Sequence, residues 1–222
     1  MLVPKKRILM TGHGVESGEV RVVPYDPAWP EKYADEARRV RSAIGHLIED
    51  IQHIGSTAIP GMAAKPIIDI AVAVADAGVI ESLVRPLEAL GYKYRGLLLG
   101  IEGHYFFRKG DPREYFLHVF AHHSEFWVRR IAFRDYLITR GDVAAEYRTL
   151  KERLAAEHAD DRTSYTAQKN AFVEKVTDIA LKAQRDDRAD MDNPRCCTPD
   201  DPCQPWTDCL PRFRNSGHCE RR

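Results

Sequence analysis

The chain has 222 residues, 44% hydrophobic and 30% charged, and its 33 basic residues balance 33 acidic ones to a net charge of zero. That length suits one compact domain with or without a helical extension, and zero net charge points away from nucleic acid and from a membrane surface. No apolar run approaches the ~20 residues of a membrane span, and Lys5-Lys6-Arg7 is followed only by Ile8-Leu9-Met10, too short for a signal-peptide core, so a cytoplasmic protein is expected.

Residues 1–18 lack periodicity and read as a flexible lead-in. Val20 to Val23 is a short strand candidate, after which Asp26-Pro27 offers an N-cap and a first-turn proline. Tyr33, Ala37, Val40, Ile44, Leu47, Ile48 and Ile51 recur at helical spacing and define one apolar face. Trp29 is a packing anchor, and Arg38, Arg39 and Arg41 lie off the stripe on a solvated face. A strand ending at Ile54 leads to the corner Gly55-Ser56, and Ile67 to Val74 reads as a strand buried on both faces. Asp76 caps a helix through Leu90, with Gly91 in the left-handed position beyond it. Tyr92 to Arg95 is a strand and Leu97 to Gly103 a glycine-punctuated loop. His104 to Arg108 and Tyr115 to Ala121 form a hairpin around Lys109-Gly110-Asp111-Pro112.

Beyond Ser124, a plausible N-cap, the pattern is helical only. Gly141-Asp142 separates the first helix from the second, and Asp160-Asp161 the second from the third. All five cysteines (Cys196, Cys197, Cys203, Cys209 and Cys219) lie in the last stretch. Their odd number, the missing C-x-x-C pair and the prolines among them argue against a disulfide set or a tetrahedral zinc site. Residues 186–222 therefore read as a disordered tail, with His218 beside Cys219 as its one feasible metal partner. The fold class expected is α+β. A small mixed sheet with helices on one face (19–123) is followed by a three-helix part (124–185), which together make one domain, 19–185.

Asp69 stands out because it interrupts a strand of β-branched residues, where an unpartnered carboxylate would cost several kcal/mol, so it needs a hydrogen-bond network or a cation. The Gly-Ser corner alone is an ordinary tight turn. Together with Lys65 and Asp69 it becomes a candidate phosphate site, since glycine lets backbone N–H groups approach phosphate oxygens and a helix start would favour the anion. Lys65 is equally well a solvated loop lysine. Arg113 is either a phosphate clamp or a surface hairpin charge.

His118 is the lone polar residue of Phe116-Leu117-His118-Val119-Phe120. It is a buried structural histidine or, in the sharper alternative, a metal ligand or general base. His104 could point into the same cleft, and His53 either faces the corner or only packs. His122 and His123 are adjacent and should not share a face. Tyr165 and Lys169 share a face of the last helix.

The run HIGSTAIPGMAAKPIIDI resembles the signature of the GrpB family, a group assigned to the DNA polymerase beta-like nucleotidyltransferases. The resemblance runs from about Val20 to about Ala183 and takes in VVPYDPAWP, GHYFFRKG, FLHVF and YTAQKNAFVEKV. The superfamily pattern is Gly-Ser, a spacer, then Asp-x-Asp or Asp-x-Glu on a strand. Gly55, Ser56 and Asp69 match it, but the second acid's position holds Ala71, on the same strand face as Asp69.

What the resemblance implies is metal-dependent transfer of a nucleoside monophosphate from a nucleoside triphosphate to an unknown small-molecule or protein acceptor. In that reading Gly55, Ser56, Lys65, Arg113 and Lys169 bind the substrate, Asp69 and His118 are catalytic and hold the metal, and magnesium is the cofactor. No nucleic acid or membrane partner is expected. The alternative is a non-catalytic nucleotide-binding or protein-folding accessory module that has lost the second carboxylate. Some relatives are fused to dephospho-CoA kinase in that capacity.

Overall fold

The computed structural model describes residues 21–158 and 161–191. The expected lead-in (1–18), the first residue of the strand expected from Val20 to Val23, Asp160 and the five cysteines lie outside the described residues. The chain divides into two units, Met1–Leu181 and Lys182–Arg222. The elements below belong to the first, apart from the last turns of the final helix.

Five strands form one mixed sheet: β1 (Asp50–Ile54), β2 (Ile68–Val74), β3 (Tyr92–Leu97), β4 (Tyr105–Lys109) and β5 (Tyr115–Ala121), in the spatial order β1-β2-β5-β4-β3. Only β2 and β5 run parallel, with Ala71 opposite His118; the other pairs are antiparallel. These two central strands are the most apolar because both their faces are covered.

One face carries Ile68, Ile70, Val72, Val74, Leu117, Val119 and Phe107 against α1 (Trp29–Ile44) and α2 (Ile80–Ala89), which supply Trp29, Val40, Ile44, Leu83 and Leu87. Each such fully buried large apolar side chain contributes roughly 1.5–3 kcal/mol. The opposite face presents Ala71, Ala73 and Phe120 to Trp127 of α3 (Glu125–Thr139). Helices α4 (Gly141–Glu157) and α5 (Arg162–Met191) complete the α+β fold, and a second cluster joins Phe133, Leu137, Tyr147 and Val176 to Ile59 and Met62 of the β1–β2 connection. That connection is therefore gripped between the sheet and the helical part.

Several local expectations need correcting. Helix α1 starts at Trp29, because Pro30 takes the first-turn position, while the Asp26 carboxylate accepts from the Ala28 N–H in the preceding turn. Ile51 belongs to β1 and not to the helical stripe, which ends at Ile44. Around Val23 there is a single bridge to Ala64 instead of a strand. Helix α5 continues past Arg185 to Met191. Other signals map directly. Asp76 accepts from the Gly78 N–H before α2, and Ser124 accepts from the Trp127 N–H at the start of α3.

A cation-lined cavity beside Asp69

Side chains alternate along β2, so the register that buries Ile68, Ile70 and Val72 under α1 and α2 turns Asp69 to the other face. Asp69 keeps 29% of its side chain exposed. It sits where the Gly55 corner meets the strand. Gly55 adopts φ +71°, and any Cβ there would fall 2.5 Å from Asp69 Oδ2. The glycine is thus needed both for backbone conformation and for the space the carboxylate fills.

Beside the carboxylate lies a cavity of about 210 Å³, whose lining includes Ser56, Thr57 and Asp69 together with the basic side chains Lys65, Arg113, Lys151 and Lys169. Lys65 lies 4.6 Å from the centre of the Tyr165 ring, which also faces the cavity. The two residues that share a face of α5, Tyr165 and Lys169, both reach it. Four basic side chains and one acid give the hollow a net positive lining. Its floor is held by polar contacts: Thr57 donates to the Ile67 carbonyl (3.4 Å) and the His53 imidazole bonds to the Thr57 hydroxyl (3.0 Å). Burial pulls His53 down to about 4, and it stacks on Tyr33 with ring centres 4.6 Å apart. It packs and supports the corner without entering the cavity.

His118 is seated behind Asp69 and is not among the residues lining the cavity. Its Nε2 lies 3.5 Å from Asp69 Oδ1 and its Nδ1 lies 2.8 Å from His104 Nε2. Burial lowers both imidazoles, His104 to about 3 with help from His118; Asp69 partly offsets the burial of His118, and Arg130 of α3 adds a smaller positive charge that opposes protonation of both. With both rings neutral, a proton shared between the histidines satisfies one nitrogen of each. Phe106, Phe120 and Phe126 surround them. Expected to lie on different faces, His122 and His123 in fact stack with ring centres 3.9 Å apart, because His123 takes a left-handed backbone (φ +61°). No group of three or more metal-ligating side chains occurs among the described residues.

Three contributors were missed in the sequence. Tyr147 of α4 is buried, and its hydroxyl shares a hydrogen bond with Ser56. Lys151, one turn on, is 2% exposed, donates to the Ala63 carbonyl and lies 4.6 Å from the centre of the Tyr147 ring. Arg130 of α3 is close enough to Asp69 for the two opposite charges to attract. One expectation is corrected. The corner is followed by only a three-residue 3-10 turn, Ser56–Ala58, too short to offer an anion a helix dipole.

Magnesium can be tested against these donors. Asp69 supplies carboxylate oxygens at the cavity edge, and Mg²⁺ is commonly held by one or two carboxylates, several waters and substrate phosphates. One ion fits that donor set. A second does not, because Ala71 is 0% exposed and packed among Ile54, Ala73, Phe120 and Trp127. His118 offers a nitrogen, a poor donor for this hard cation.

The structure thus defines an α+β domain whose mixed sheet brings one strand acid, a Gly-Ser corner and a cationic cavity together. Residues 19–178 match the family model described as GrpB protein, and the chain belongs to that family. It is 36% identical to the crystal structure of the conserved protein GrpB from Enterococcus faecalis, with a TM-score of 0.69 over 74% of this chain and 99% of that one. It is 33% identical over 176 residues to UPF0157 protein YqkA of Bacillus subtilis, covering 79% of this chain; it spans about half, 51%, of that relative's length. A 95-residue stretch, 39% of this chain, is 38% identical to 23% of a dephospho-CoA kinase from Mycolicibacterium paratuberculosis. The poly(U) polymerase Cid1 overlays 61% of the chain at 14% identity and a TM-score of 0.45, too remote to bear on activity. No described helix is long and apolar enough to cross a membrane.

Proposed function

We propose that the cavity binds the phosphates of a nucleoside triphosphate, that Asp69 holds the one magnesium ion accompanying them, and that the reaction class is nucleotidyl transfer to a hydroxyl acceptor. The observation that carries this reading is the meeting of four basic side chains and one carboxylate around a single hollow. A volume of about 210 Å³ is below the roughly 300–1,000 Å³ of whole-ligand pockets, so it suits a phosphate chain with the nucleoside lying outside.

In this reading Lys65, Arg113 and Lys169 neutralise phosphate oxygens, and Ser56, oriented by Tyr147, offers a hydroxyl donor. When bound, magnesium would supply charge neutralisation at the phosphates. His118 positions Asp69 by its contact with Oδ1, and His104 fixes the imidazole from behind. The lack of a second carboxylate favours a second reading, in which the cavity binds nucleotide without turning it over and the domain serves another protein.

A thermal-shift panel of nucleoside triphosphates with and without magnesium, run on wild type and Asp69→Asn, tests the site. Stabilisation that needs both magnesium and Asp69 is expected. Equal shifts in the two proteins would remove the assigned role of Asp69, and no shift with any nucleotide would remove the nucleotide reading. Appearance of nucleoside monophosphate on an acceptor separates transfer from binding alone.

A further inference from the structure

Among the basic residues of the cavity, Lys151 has a distinct environment. It is 2% exposed, and its amine contacts a backbone carbonyl (Ala63) and the face of Tyr147. Among the described residues it forms no ion pair with a carboxylate. A buried charge is normally paired, because desolvating it alone costs several kcal/mol. Its electrostatic surroundings are Lys169 from α5, which opposes its charge, and Glu152 next to it on α4, which favours it. The cavity it lines also has Lys65, Arg113, Asp69 and Tyr165 in its walls, and the Tyr147 ring packs against its amine. Tyr165 is pushed up to about 12 by burial, and Tyr147 is raised further, so both phenols stay neutral. Burial, and secondarily Lys169, lower Lys151 to about 7.

We propose that Lys151 is a ligand-charged cation: its amine takes up a proton as an anionic phosphate group enters the cavity, and the two then form a buried ion pair. This rests on the phosphate-binding reading of the cavity, and it adds that binding is coupled to proton uptake through one residue of α4. Tyr147 links the event to the Gly-Ser corner, since one face of its ring meets the Lys151 amine while its hydroxyl bonds to Ser56. The chemistry selects a multiply charged phosphate over a neutral sugar or base. Only an anion returns to the ammonium the stabilisation that burial removes.

Isothermal titration of the full-length chain with inorganic tripolyphosphate, in paired buffers of different ionisation enthalpy, measures protons taken up per ligand bound. Comparison with Lys151→Arg, whose guanidinium is charged throughout, cancels the probe's own titration. The wild type should take up about one proton more than Lys151→Arg near pH 8.5, and this excess should vanish near pH 6, where the amine is already charged. Lys151→Met, of similar length, should bind on the order of ten-fold more weakly and show no excess. Binding with the same proton uptake in wild type and both variants would overturn the role of Lys151 while leaving the phosphate site standing. No binding at any pH would overturn both.

Discussion

A methyl group on Gly55 would lie 2.5 Å from Oδ2 of Asp69 and 3.0 Å from its Cβ, so corner and strand acid fit together only while residue 55 has no side chain. The backbone adds its own demand, because φ is +71° there. Gly55→Ala should destabilise the protein by about 1–3 kcal/mol through left-handed strain and the clash. It should also displace the Asp69 carboxylate and weaken magnesium-dependent nucleotide binding. Urea unfolding and the thermal-shift panel measure the two effects separately. A variant as stable as wild type would show that the corner relaxes without cost.

Introducing at position 71 the acid that the nucleotidyltransferase resemblance would place there should not create a second metal site. Ala71 is fully buried beside Phe120 and Trp127, so Ala71→Asp places a carboxylate in a largely apolar cluster, with His118 and Gln52 as its cross-strand neighbours and the imidazole held toward its neutral form by burial. A loss of about 3 kcal/mol or more is expected, together with a raised carboxyl pKa. Thermal unfolding with and without magnesium checks this. Magnesium-dependent recovery of the melting temperature would mean that the strand face opens to a second ion after all.

The site was readable to the extent that its residues break a pattern. Asp69 interrupts a β-branched strand, Gly55-Ser56 interrupts the apolar approach to it, and Lys65, Arg113 and Lys169 fall where loop, hairpin and helix converge on the cavity. Lys151 escaped notice because a helical lysine is normally solvated. The signal was present nonetheless: Tyr147, Lys151 and Leu154 occupy positions i, i+4 and i+7 of α4, and all three are buried. A lysine within such a stripe marks a helix face turned to a polar hollow. Helix α1 shows a different limit. Asp26-Pro27 reads as a helix opening, yet the helix begins two residues later at Trp29, with Pro30 in its first turn and Trp29 buried in the core. Ile51 fitted a helical stripe because period alone cannot tell a helix end from the strand that follows a tight connection.

The two buried histidines give a pH signature. His104 is 1% exposed and lowered to about 3, chiefly by burial, from an ordinary value of 6.5. Below about pH 6.5 the unfolded chain takes up a proton that the folded chain refuses, so stability is present above that value and falls as pH drops toward 3. In His104→Gln the amide can still reach His118 Nδ1, and this contribution disappears. The slope of unfolding free energy against pH between about 6 and 4 should be shallower than wild type by up to about 1.4 kcal/mol per pH unit. Denaturant titrations across that range decide it. An unchanged slope would mean that His104 is protonated in the folded state.

Lys151 makes the opposite kind of statement about stability in the absence of ligand. Its folded value near 7 lies below the ordinary 10.5 because burial penalises the ammonium. Above about pH 10.5 the amine is neutral in both states and imposes no penalty. As pH falls, the unfolded chain gains the proton first, so the penalty grows until about pH 7 and is constant below that. Lys151→Met should therefore raise the stability of the ligand-free protein, by about 1–4 kcal/mol at pH 6. Loss of the bond to the Ala63 carbonyl offsets part of the gain. The gain should shrink steadily as pH rises toward 10. If the cavity binds phosphate as proposed, the same substitution should weaken that binding, so that stability and binding move in opposite directions, as expected where a residue serves a ligand at a cost to the fold. Unfolding curves for wild type and Lys151→Met at several pH values test this directly. A stability difference independent of pH would show that the buried amine stays charged throughout, held by a partner within the protein.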